Sequence, residues 1–372
     1  MAQMGKSLHA RIGITAFAIA VAAVLLTTLI AGCGGPASRA NEVVVYSAEK
    51  DEIVQAVSAM WQKVAPDVKL RVQEAGTNEV VQRIRAEKER PLGDVVWGIG
   101  AEGMTASPEL FEPYESTETK AIDPRWLAVS KGAPWQPNNV VPMVLIYNTS
   151  RFKTPGRMLM GPPSPHFADG HVKYPSPPPP RAWDDLAYPG LWGMIAYAAP
   201  DKSGSAFTQL AVMIAVFGDN DAGWKTIGEI MKNAKILQSS GKVIKGVADG
   251  EYAVGLTYEN IAGLYVRSGA PMKIVYPEEG TAVTPDGNAL IRGAPHPEAA
   301  KRFLDFLLSK PVQEMLAQKL SLRSVRMDVA TPPGLIPIDQ IKAAPGFDFR
   351  TAAAHRKEYL DKWQALLLRL NQ

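Results

Sequence analysis

Val43-Val44-Val45-Tyr46, then the polar residues 47–51, then Ile53, Val54, Val57, Met60, Trp61 and Val64, is the stretch on which the fold turns. The first four residues favour a pleated backbone, and the apolar positions after the polar loop recur at the spacing of one helix face. The spacing predicts a strand, a loop and a helix. The unit repeats downstream: residues 69–72 read as a strand, Gly76-Thr77-Asn78 as a loop with a capping residue, and Val80, Val81 and Ile84 open a second amphipathic helix. A third strand, Asp94-Val95-Val96-Trp97, runs into Gly98-Ile99-Gly100-Ala101-Glu102. Strands alternating with helices imply an α/β chain with an open, largely parallel sheet covered on both faces. In such sheets small molecules bind beyond the carboxyl ends of the strands. That rule singles out Ser47, Ala48, Glu49, Thr77, Asn78, Gly98 and Glu102.

Upstream, Lys6, His9 and Arg11 precede an uncharged apolar run over residues 12–30, the layout of an export signal. The run ends in Leu29-Ile30-Ala31-Gly32-Cys33, which resembles a bacterial lipobox, so residues 1–32 are expected to be removed and Cys33 to carry lipid. A spanning anchor is the competing reading, since the run approaches the ~20 residues a membrane helix needs. A plain anchor gives no reason for small residues directly before the chain's only cysteine, whereas two acyl chains there give lasting attachment. Residues 33–40 read as a tether. With one cysteine, an internal disulfide and a cysteine-rich metal site are excluded.

Residues 1–32 hold two of the 40 basic side chains and none of the 37 acidic ones, so the processed chain lies within one charge of neutrality. That is no polyanion-binding signature, and a nucleic-acid partner is not expected. The length suits two domains or one pair of lobes.

Further on, residues 140–147 form another apolar strand. Residues 155–180 break the pattern with a cluster of prolines, which reads as a surface insertion because polyproline cannot enter a sheet interior. His166 and His171 lie there without a supporting Asp, Glu or Cys cluster, so no metal site is expected. After a strand at residues 192–197 comes Pro200-Asp201-Lys202-Ser203-Gly204-Ser205-Ala206, entering the apolar helix 207–217. A small-residue loop opening a helix offers free backbone N–H groups and the positive end of the helix dipole, which suit an anionic oxygen. Ser203 and Ser205 add hydroxyls and Lys202 adds charge; the plain alternative is a helix cap. Strands at 235–238 and 252–258, the latter ending in Tyr258-Glu259-Asn260, precede further extended segments at 272–276 and 288–291. Helices then follow from Pro297, after Pro311 and over residues 359–370. No Gly-x-Ser-x-Gly, His-Glu-x-x-His or cysteine pair is present, so an enzyme, and a secreted hydrolase in particular, is not expected; nor is a cofactor.

Val-Val-Val-Tyr-Ser at 43–47, Gly93-Asp94-Val95, Ile146-Tyr147-Asn148-Thr149, Trp183-Asp184-Asp185-Leu186, Gly255-Leu256-Thr257-Tyr258-Glu259 and Ala300-Lys301-Arg302-Phe303-Leu304-Asp305-Phe306-Leu307 together resemble a type II periplasmic binding protein. The similarity covers roughly residues 42–330 and lies in the branch of ferric-iron, aminoethylphosphonate and hexose-phosphate binders. It implies a monomeric, exported solute receptor of an ABC importer, held by lipid on Cys33 to the membrane, facing the periplasm or cell exterior, and delivering its solute to a permease. Two lobes would close about a two-strand hinge, each an open mixed sheet flanked by helices: 41–139 with 277–330, and 140–276, followed by a helical segment 331–372.

Iron-binding members place a metal ligand after the first strand and adjacent tyrosines at the end of a later one. Here those positions hold Glu49-Lys50 and Tyr258-Glu259, and a lysine beside ferric iron is unfavourable without an intervening anion. A sugar phosphate fits the resemblance better. Ser203, Gly204 and Ser205 would cradle the anion, Glu49, Asn78 and Glu259 would accept from hydroxyls, and Trp97 would pack on the sugar face. Glu259 facing an ammonium would instead favour an aminophosphonate. Arg323 and Arg326 are expected as surface ion pairs in preference to phosphate ligands.

Overall fold

The computed structural model describes residues 41–153, 158–163 and 171–370. The export signal, the tether and Cys33 lie outside the described residues, as does part of the insertion. Glu42–Gln372 form one compact unit, and it contains every buried residue among the described ones, so a fragment beginning at residue 41 carries the described core.

The chain begins with β1 (Glu42–Ser47), α1 (Asp51–Val64), β2 (Lys69–Glu74), α2 (Thr77–Ala86), β3 (Val95–Gly100), α3 (Ala101–Thr105), β4 (Phe111–Glu112) and α4 (Pro124–Val129). Strand β5 (Gln136–Asn148) leads into β6 (Met158–Pro163), β7 (His171–Pro175), β8 (Ile195–Ala198), α5 (Gly204–Phe217), α6 (Asp221–Asn233), β9 (Ala234–Leu237), α7 (Ser240–Ala248), β10 (Val254–Tyr258), α8 (Glu259–Arg267) and β11 (Met272–Val275). Then come β12 (Val283–Ile291), α9 (Pro297–Leu308), α10 (Lys310–Leu320), β13 (Arg323–Ser324), α11 (Phe349–Ala354) and α12 (Arg356–Leu370).

β1 shows why the opening stretch decides the architecture. Val43 and Val45 face one apolar cluster with Ile53, Val57 and Trp61, while Val44 and Tyr46 face a second with Val80 and Ile84. A strand buried on both faces is the mark of a sheet covered by helices on each side. β1 runs parallel to β2 and β3. The sheet order is β2-β1-β3-β12-β5-β10-β8-β9, and it is mixed, as the family resemblance implied, and not largely parallel as the alternation of strands and helices alone suggested: β12 is antiparallel to β3 and β5, and β5 is antiparallel to β10. The reason is the long strand β5. Its first part pairs with β12 and its second with β10 and β11, so it crosses from one half of the sheet to the other. The chain returns through β11 and β12, both antiparallel to β5, with Thr281 Oγ1 donating to Met143 O at 2.8 Å in the crossover.

The described parts of the proline-rich insertion pair as a separate two-stranded ribbon, β6 with β7. The C-terminal segment touches both halves. Phe349 of α11 joins the cluster of Ile99 and Met104, whereas Trp363 and Leu366 of α12 join the core that contains Ile227 and Ile230 of α6. No helix of the described residues is long and apolar enough to cross a membrane.

Candidate functional site

The carboxyl ends of β1 and β3 and the N-termini of α2, α5 and α7 converge on a cavity of about 820 Å³. Its two walls differ in chemistry.

On one wall Ser203 is the N-cap of α5, its Oγ accepting from Ala206 N at 3.4 Å, so the expected cap exists. The same hydroxyl stands 3.1 Å from Ser205 Oγ and 3.0 Å from Ser240 Oγ, and the latter two are 3.1 Å apart. Ser240 opens α7, so two helix N-termini present backbone N–H groups and three hydroxyls to one point. Such a convergence favours negative charge. Lys202 Nζ is turned to Gln238 Oε1 at 2.6 Å on the cavity edge.

The other wall is acidic. Glu49 folds over Gly98, whose positive φ of 75° brings the backbone so close that a Cβ there would lie 2.6 Å from Glu49 Oε1. Glu102 Oε2 and Asp286 Oδ1 both approach Gly100, at 3.1 and 3.6 Å from the position a Cβ would take. Burial pushes the Glu49 carboxyl up to about 7, against the pull of Lys50. Burial, then the charges of Glu49 and Glu102, drive Asp286 well above the carboxylate range. Burial also raises Glu102, opposed chiefly by its own backbone, a Thr208 hydrogen bond and Arg356. The Tyr258 hydroxyl is held above its usual range by burial and by Glu49 and Asp286, so it serves as a neutral donor. Glu49 Oε1, Glu102 Oε1 and Asn260 Oδ1 are shielded from solvent without a hydrogen-bond partner in the protein. Buried acceptors of this kind are costly until a donor reaches them.

Of the residues singled out from sequence, Glu49, Thr77, Asn78, Glu102, Ser203, Gly204, Ser205 and Tyr258 line this one cavity. Three do not. Ser47 is buried and its Oγ accepts from Glu49 N at 3.1 Å, so it shapes the loop from behind. Trp97 is fully buried and packs edge-on to Phe303 of α9 at 6.2 Å, because strand alternation points it into the core. Glu259 is gripped by Arg323 at 2.6 and 2.8 Å and by Tyr276 Oη at 2.5 Å, away from the cavity. Arg323 and Arg326 are correspondingly buried ion-pair partners and not surface ones; Arg326 is held by Glu118 and Asp328. The loop expected to cap α2 with a side chain is capped by Gly76 instead. Asn78 is occupied otherwise: its amide donates to Asp201 O, and its Oδ1 accepts from Arg356 Nη2 at 2.7 Å.

Sequence reasoning missed Ser240, Asn260, Asp286 and Arg356, all in the cavity wall. Asp286 was masked by Pro285 and Gly287, which read as a break although they lie within β12. Arg356 carries no local signal. Among the described residues, no group of three or more His, Cys, Asp and Glu side chains is arranged to hold a metal ion.

Residues 55–348 match the family described as bacterial extracellular solute-binding protein. The chain belongs to that family. This solute-binding protein is of the type that serves ABC importers outside the cytoplasmic membrane, and not an enzyme. A Haemophilus influenzae protein of unassigned function is 27% identical over 93% of this chain and 96% of its own length. A Salmonella typhimurium protein provisionally named as 2-aminoethylphosphonate-binding is 25% identical over 71% of the solute-binding protein and 72% of its own length. The solved structure of AfuA from Actinobacillus pleuropneumoniae, with fructose 6-phosphate bound, superposes with a TM-score of 0.74 at 25% identity, covering 87% of this chain and 97% of AfuA.

Proposed function

We propose that the solute of this importer component is a small molecule with a phosphate head and a hydroxyl-bearing body, a sugar phosphate. The observation that carries the reading is the chemistry gathered in one cavity: a serine cluster at two helix N-termini shares it with shielded acceptors on Glu49, Glu102 and Asn260. The head would accept from Ser203, Ser205, Ser240 and the backbone N–H groups of α5. Sugar hydroxyls would donate to Glu49, Asp286 and Asn260. AfuA, whose fold this chain shares, was solved with a sugar phosphate, which supports the reading. The buried carboxyls favour a second one, an aminoalkylphosphonate whose ammonium would supply the counter-charge that Glu49 and Asp286 lack.

A thermal-shift panel on the fragment from residue 41 separates these readings, using fructose 6-phosphate, fructose, 2-aminoethylphosphonate, inorganic phosphate and ferric citrate. A ligand that binds only the folded state raises the melting temperature. Stabilisation by the sugar phosphate beyond fructose or phosphate alone is expected. Stabilisation by aminoethylphosphonate alone selects the second reading, and a response only to ferric citrate overturns both.

The lipid anchor is part of the same proposal. Lipobox-like residues 29–33 and the location of the family's members outside the cell membrane support processing at Cys33. Cys33→Ser is expected to accumulate unprocessed precursor without lipid label; normal maturation of that variant would discard the anchor.

A further inference from the structure

Among the described residues two arginines are buried, and both are matched by carboxylates: Arg323 by Glu259, Arg326 by Glu118 and Asp328. Arg356 is partly buried and desolvated enough to depress its pKa. It stands at the start of α12 and lines the cavity. Its guanidinium lies 4.0 Å over the Phe207 ring of α5, and it donates to a neutral acceptor, Asn78 Oδ1, at 2.7 Å. No carboxylate among the described residues pairs with it; Glu102 acts on it only through its field. A guanidinium has five donors in a planar fork matched to an oxyanion. A cation partly removed from water without a counter-ion is unfavourable until one arrives.

The position of Arg356 in the chain matters as much as its charge. The segment that carries it is pinned to one half of the sheet by Phe349, and by Arg350 Nη2 donating to Val129 O at 2.8 Å. It is pinned to the other half by Leu366, whose Cδ1 lies 3.3 Å from the position a Cβ on Gly228 of α6 would take, and by the Lys362–Asp219 ion pair at 2.8 Å. Arg356 lies at the junction of α11 and α12, between those anchorages, touching α2 through Asn78 and α5 through Phe207.

We propose that Arg356 is the charge-selecting residue of the solute site: it receives the oxyanion head of the ligand, and the C-terminal segment is thereby a strap that reports occupancy to both halves. The inference rests on the reading of the cavity as an anion site, and it adds a specific recognition residue from a part of the chain remote from the other ligand-facing loops. A bidentate charge-assisted contact discriminates a phosphate ester from its neutral parent alcohol, which the serine hydroxyls alone do weakly.

The test is calorimetric titration of wild type, Arg356→Gln and Arg356→Lys, each as the fragment from residue 41. The probes are fructose 6-phosphate, 2-aminoethylphosphonate, inorganic phosphate, sulfate and fructose, with melting curves of the ligand-free proteins alongside. The glutamine variant is expected to lose about 10- to 100-fold in affinity for the oxyanion that binds wild type. The lysine variant should recover part of it, and the ligand-free glutamine variant should melt no lower than wild type because an unmatched, partly buried charge has gone. A structural pin predicts the reverse: destabilisation with unchanged affinity, and that result overturns the assignment. If an ester binds the glutamine variant as tightly as wild type, Arg356 is not the selector and the function proposed above stands. If wild type takes sulfate or phosphate in an Arg356-dependent manner but no ester or phosphonate, the solute class falls and Arg356 stands. Wild type that binds no oxyanion overturns both.

Discussion

Glu49 lies under the cavity with one shielded oxygen unpartnered and Asp286 and Glu102 sharing its field. Its carboxyl is raised from 4.5 to about 7, so between those values the folded protein keeps a proton that the unfolded chain releases. Stability contributed by that proton is present at low pH and declines as pH rises through the window, with the full cost felt above about 7. The displacement corresponds to roughly 3 kcal/mol at pH 8. Glu49→Gln removes the titration but keeps the shape, and the ligand-free variant is expected to melt higher than wild type at pH 8, by roughly 5 °C. The gain should vanish near pH 4.5, where wild type holds the proton too. The same variant should bind its solute more weakly, because an amide cannot match the carboxylate as an acceptor. A stability gain that is independent of pH would show that Glu49 is not the group that titrates. The trade-off is the expected signature of a residue placed for ligand recognition at the expense of the empty fold.

At the scale of elements, legibility followed the range of the interaction that decides each feature. The strand-loop-helix units β1-α1 and β2-α2 were readable because periodicity is local and both faces of β1 are apolar. Most of the residues read as ligand-facing do meet in one cavity, Ala48 and Gly98 among them, since the loops after parallel strands are bound to converge. What failed was every assignment that needed side-chain direction or a distant partner. Trp97 points inward with Val95 by plain strand alternation, and only the loop that follows it reaches the cavity. Glu259 follows Tyr258, which does line the cavity, but its carboxylate is claimed by an arginine 64 residues away. Arg356 acts 278 residues from Asn78. No spacing rule reaches that far, and the final helix read from sequence, residues 359–370, begins after it.

At the scale of the whole molecule, we propose that the two halves of the sheet hinge about its centre. Only β5 and the return through β11 and β12 carry the main chain across the sheet before the C-terminal segment, and these antiparallel crossings can flex together. The structure has the rims in contact: Asn78 of α2 donates to Asp201 O, and Gly204 comes so close to Thr77 that a Cβ on it would stand 2.7 Å from Thr77 Oγ1. Glycine at 204 is therefore required by the approach of the halves, not by its φ. Because Cys33 is the chain's only cysteine, the fragment from residue 41 has none, and paired labels can be placed without background. Gln82→Cys on α2 and Lys242→Cys on α7 stand on opposite rims and are exposed. The distance between spin labels at these positions is expected to be longer and broader without solute and to shorten to one narrow distribution when the stabilising ligand is added. Gly204→Leu should leave the long distribution in place and weaken binding by at least ~10-fold, since its side chain would wedge against Thr77 while remaining compatible with a helix. Identical distributions with and without ligand, in a protein that binds it, would mean a site already closed and a strap with nothing to report.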